Sequence, residues 1–137
     1  MHPEDPRTAD ARAWLTKTHQ DLRRVEILLA AKPSDVEGAL FHCQQAAEKA
    51  LKAFLTWHDI RFRRVHDLEE IGKHCVQVDP TLRSLMGRAE TLSEYVSLYR
   101  YPGAANEPPL EEGQAALALA REVTEAILTR LPPEVRP

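Results

Sequence analysis

The stretch VEGALFHCQQAAEKALKAFLTW, residues 36–57, decides the fold. Val36, Leu40, Cys43, Ala47, Ala50 and Phe54 recur in alternating steps of four and three. At about 100° per residue this places them on one face of an α-helix. Ser34-Asp35-Val36-Glu37 in front of it reads as a capping box, with Ser34 accepting from the Glu37 amide. Phe41, Gln45, Glu48, Lys49 and Lys52 fall on the opposite face. Phe41 on an otherwise polar face, with Leu55 nearby, points to a second packed surface, another helix or a second subunit, and Phe41 and Gln45 are the candidates for a subunit contact.

Working outward, the same periodicity predicts four more helices. The first runs from about Thr8 to Lys32, with Trp14, Leu15, Leu22, Val25, Leu28 and Leu29 on its apolar stripe and Pro33 as its stop. A short one spans Asp67 to Gln77, capped by Asp67, with Leu68, Ile71 and Cys75 facing inward. Asp79-Pro80 opens the next, whose stripe is Leu82, Leu85, Ala89, Leu92, Val96 and Tyr99. The last runs from about Leu110 to Leu131 and packs through Ala115, Leu119, Val123, Ala126 and Ile127. The expectation is all-α: an antiparallel up-and-down bundle of four long helices and one short one over residues 8–131. Residues 1–7 read as a disordered N-terminal tail and residues 132–137 as a C-terminal tail.

Composition narrows the functional classes. The 137 residues carry a net charge of −3, with 43% hydrophobic and 28% charged residues, an ordinary balance for one soluble domain. A generally basic nucleic-acid binder is excluded, so any such role needs a local patch. No apolar run is long enough for a membrane span, and residues 1–7 lack the apolar core of a signal peptide. A cytoplasmic protein without membrane contact is expected. Cys43 and Cys75 stand singly and read as buried thiols. Glu-x-x-His and His-Glu-x-x-His patterns are absent, and so are the glycine-rich phosphate loops. No metal or cofactor is expected.

Two stretches remain as candidates. Lys49, Lys52, Arg61, Arg63 and Arg64 form a basic group opposed by Asp59, with His58 and His66 beside it. Arginine there can grip phosphate oxygens bidentately. All three tyrosines lie within Tyr95-Val96-Ser97-Leu98-Tyr99-Arg100-Tyr101-Pro102. Pro102 ends that helix, so Arg100 is expected to emerge beside an aromatic platform suited to a phosphate and a base.

The segment from Gln44 to Leu55, then Val65-His66-Asp67-Leu68, then Tyr99-Arg100-Tyr101-Pro102, resembles the HEPN domain of bacteria and archaea. Trp14 followed by Asp21-Leu22 is similar as well. The resemblance implies a helical bundle that forms homodimers and works with a minimal nucleotidyltransferase partner, often as a toxin and antitoxin. A nucleotide or RNA ligand is expected, with Arg100, Arg61, Arg63 and Arg64 contacting phosphate, Tyr95, Tyr99 and Tyr101 shaping or stacking the site, and Lys49, Lys52 and His66 lining it. Many members of that family are metal-independent ribonucleases with an arginine followed a few residues later by histidine. Here no histidine follows Arg100, and His74 is the last in the chain. Three readings stand open. The first is a binding module, and the second a divergent ribonuclease using Arg100 with His66. The third is a protein-interaction module with no nucleotide affinity.

Overall fold

The computed structural model describes residues 4–64, 67–99, 102 and 107–137. Five α-helices follow in order: α1 (Pro6–Ala30), α2 (Val36–Trp57), α3 (Leu68–Val78), α4 (Arg83–Tyr99) and α5 (Leu110–Leu128). No strand occurs among the described residues. The all-α bundle read from the periodicity is the fold.

The helix starts follow the chemistry of orphan amides. Asp5 caps α1 by accepting from Arg7 N, and Asp67 caps α3 by accepting from Glu69 N and Glu70 N. The start of α2 differs from the expected box. Asp35, not Ser34, is the cap, with its Oδ1 accepting from Gly38 N at 2.9 Å. A carboxylate is the stronger acceptor at the positive end of a helix. The Ser34 hydroxyl instead donates to Leu29 O at 2.8 Å, closing the end of α1. Asp79 opens a 3-10 turn, Pro80–Leu82, that leads into α4.

Helix α2 is the hub, packing on α1, α5, α4 and α3. Its expected stripe is buried, but so are Leu51, Leu55, Gln44, Glu48 and Lys52. The face read as polar is therefore largely covered. Trp14 of α1 and Phe62 of the connection meet edge to face, 6.4 Å between ring centroids, and Lys52 Nζ lies 5.3 Å from the Trp14 ring centroid. Lysine can run an apolar stem through such a layer.

The inward face of α5 also differs. Ala115 is exposed, and burial runs through Gly113, Ala116, Leu117, Ala120, Val123, Thr124, Ile127 and Leu128. Small residues let this helix approach closely. A methyl group on Gly113 would stand 2.8 Å from Leu29 Cδ2 and 2.9 Å from Val36 Cγ1. Helix α1 begins at Pro6, Val135 is buried, and Arg12 Nε donates to Glu134 O.

Candidate functional site

A cleft of about 780 Å³ opens between the first half of α2 and the last half of α4. Phe41, Gln44 and Gln45 form one wall, and Tyr95, Val96 and Tyr99 the other. The two helices run antiparallel, so Tyr99 at the end of α4 comes to the start of α2. The aromatic platform and the candidate contact residues, read from separate parts of the sequence, thus share one groove. Phe41 is 47% exposed at its rim.

The electrostatics of the groove are specific. Asp35 and Glu37 line its α2 end, and no lysine or arginine is among its described lining residues. Tyr99 Oη donates to Glu112 Oε2 at 2.8 Å, and that bond, with some burial, holds the phenol above the usual tyrosine range. Charge to balance a phosphate must therefore come from outside these walls. Arg100 and Tyr101 follow Tyr99 in the chain, but they and His66 lie outside the described residues.

The basic group does not assemble as expected. Lys49 turns toward α1, its Nζ 2.5 Å from Asp21 Oδ2. Lys52 is buried, with its Nζ 3.7 Å from Glu48 Oε2. Both lysines are used inside the bundle, because α2 is covered on the side that sequence patterning left to solvent. Arg63 pairs with Glu70 at 2.8 Å, while Arg61 and Arg64 are exposed. His58 packs edge to face on Phe54, and burial lowers its affinity for a proton.

Sequence reading missed one constellation. Asp21 is only 1% exposed, and its carboxylate gathers three donors. His42 Nδ1 lies 2.9 Å from Oδ1, Arg24 3.1 Å from Oδ1, and Lys49 meets Oδ2. The signal was present. Ala11, Leu15, Thr18 and Val25 are buried along α1, and Asp21 stands on that line. A carboxylate in a buried stripe requires partners, and His42 and Lys49 stand two turns apart on α2.

Comparison with known proteins agrees with this architecture. The HEPN domain matches the chain over residues 11–131. A protein of Methanocaldococcus jannaschii named "Putative toxin MJ1304" is 28% identical over 99 residues. The match takes in 67% of this chain and 63% of that protein's own length. No solved structure matches the chain. With the family matched across nearly all of the bundle, from the first turns of α1 to the residues just after α5, the chain belongs to the HEPN domain family.

Proposed function

We propose that this chain is a HEPN nucleotide- or RNA-binding module that works as a homodimer with a minimal nucleotidyltransferase partner, in a toxin–antitoxin-like pair. One observation carries the reading: Tyr95 and Tyr99 face Phe41 and Gln45 across a single groove, immediately before Arg100 in the chain. Aromatic walls suit a base, and base–aromatic stacking contributes about 1–3 kcal/mol per base. The acids at the α2 end leave the phosphate to Arg100, with Tyr101, His66 and the exposed Arg61 and Arg64 as further contacts. Phe41 and Gln45 would bring a second copy to the same groove, so that ligand and subunit contact are shared. The name of the Methanocaldococcus protein supports a toxin-related role.

The test uses wild type and Arg100→Ala with labelled structured RNA in EDTA, reading retention and cleavage together. Retention without cleavage, weakened by the substitution, is the expected result. Cleavage that disappears with Arg100 would favour the ribonuclease reading and make His66 the next target. If a folded protein gives neither signal, both RNA readings fail, and free nucleotides and the partner protein become the next ligands to test.

A further inference from the structure

Gln44 and Gln45 stand side by side on α2, and both line the groove. Gln44 is only 5% exposed, and a carboxamide so deeply buried calls for hydrogen-bond partners. It has one among the described residues: Gln45 Nε2 donates to Gln44 Oε1 at 2.8 Å. Gln44 Nε2 donates to no acceptor among them, and the groove is the open space that the residue lines. Turning both amides over would leave Gln44 donating to Gln45, with one N–H and its carbonyl still to spare. In either setting Gln44 offers the groove a donor beside an acceptor. The other walls limit what can take that offer. Phe41, itself edge to face on the His42 ring, joins Tyr95 and Tyr99 in giving aromatic walls, and the Tyr99 hydroxyl is committed to Glu112. Asp35 and Glu37 are the only charged side chains among the described lining residues. A flat, uncharged group with a donor next to an acceptor satisfies all of these. An amino group beside a ring nitrogen is favoured over a carbonyl edge, because the fixed charges of the groove are negative.

We propose that the groove takes an adenine and that Gln44 reads its edge. The adenine amino group donates to Gln44 Oε1, and Gln44 Nε2 donates to the ring nitrogen next to it, the bidentate pairing that glutamine makes with this base. Adenine carries such a pair on both edges, N6 with N7 and N6 with N1, so it fits in two orientations. Guanine presents two acceptors on its N7 edge, which leaves the Gln44 carbonyl unmatched, and uracil has a carbonyl in place of the amino group. Cytosine matches on one edge and offers the aromatic walls a smaller face. Gln45 holds the Gln44 amide in place and is a positioning residue. This rests on the reading that a base occupies the groove, and adds which base.

The test measures, by fluorescence anisotropy, binding of the whole protein to single-base RNAs of about ten nucleotides made of adenine, cytosine or uracil. A fourth RNA carries purine riboside at every position. Purine riboside keeps adenine's stacking surface and ring nitrogens and lacks only the amino group. The adenine RNA is expected to bind about tenfold tighter than the purine and uracil RNAs, the size of one bidentate base contact. Gln44→Leu should erase most of that ratio while circular dichroism shows the helices intact. If Gln44→Leu unfolds the protein, the adenine and purine RNAs on wild type decide alone. Purine or cytosine RNA that binds as tightly as adenine RNA overturns the proposal and leaves the RNA-binding reading in place. A ratio that survives in folded Gln44→Leu does the same. If none of the RNAs binds, the reading of the groove as a base site falls, and this proposal with it.

Discussion

Tyr99 Oη donates to Glu112 Oε2 at 2.8 Å, fastening the end of α4 to the first turn of α5. This bond holds both flanks of the connection that begins with Arg100. It also fixes one wall of the groove, since Tyr99 lines it. Tyr99→Phe is therefore expected to lower the melting temperature modestly and to weaken RNA retention more than Tyr95→Phe does. The phenol is raised above its ordinary value by the bond to Glu112. The bond's contribution is then complete below about pH 10 and is lost as the pH rises through the shifted value. Melting of wild type and Tyr99→Phe across that range should converge at the alkaline end.

The Asp21–Lys49 pair ties α1 to α2 through a buried carboxylate. Removing one member of a buried pair costs up to about 3–5 kcal/mol, because the other charge stays behind. Lys49→Met leaves Asp21 with Arg24 and His42 as partners, whereas Asp21→Leu strips the carboxylate from all three, so Lys49→Met should cost less than Asp21→Leu. The double variant should be more stable than the two single losses predict. Urea unfolding of the four proteins gives the coupling; strict additivity would mean that the pair does not interact.

Burial pushes the Cys43 and Cys75 thiols up to about 12. The thiolate is the reactive form, so neither should react with an aromatic disulfide reagent at pH 8 in the native protein. Both should react at once in denaturant. Fast labelling of either in the folded state would contradict the packing around it.

Asp79 accepts from Thr81 N and Thr81 Oγ1 and pairs with Arg130. The bond from the Thr81 hydroxyl is the largest cause, and together with Arg130 it holds the Asp79 carboxyl below its ordinary range. A depressed carboxylate stabilises the fold above its unfolded value, near pH 4, and loses that contribution as the pH falls. Asp79→Asn should melt earlier than wild type at pH 7, with the gap closing toward pH 2–3. A gap of constant size would show that charge plays no part there.

Phe41 is nearly half exposed at the rim of the groove. If a second copy covers it, Phe41→Glu should give a monomer in light scattering while keeping a cooperative melt. A variant that remains dimeric places the subunit contact elsewhere.

Helix positions were legible because caps and apolar periods are local. Pro33, Asp67, Asp79-Pro80 and the 36–57 stripe each report on their own turn of chain. Helix faces were less legible where a helix touches several others. Glu48 and Lys52 look like solvent residues from α2 alone. Both are buried, and Trp14 and Phe62, from two other segments, lie against Lys52. Ala115 and Ala116 are indistinguishable by composition, and only the close approach of Gly113 to Leu29 and Val36 selects which of the two turns inward.

The candidate site divides the same way. Sequence alone picked out Tyr95, Tyr99, Phe41 and Gln45 as candidates, since tyrosines clustered at a helix end and an apolar residue on a polar face are visible without partners. That they face one another required the antiparallel packing of α2 on α4. Sequence could not foresee that Lys49 leaves the basic group for Asp21, or that Asp21 orients His42. Those side chains lie 21 and 28 residues apart along the chain from Asp21. A buried charge recruits whichever donors the fold brings within reach, and that reach is a tertiary property.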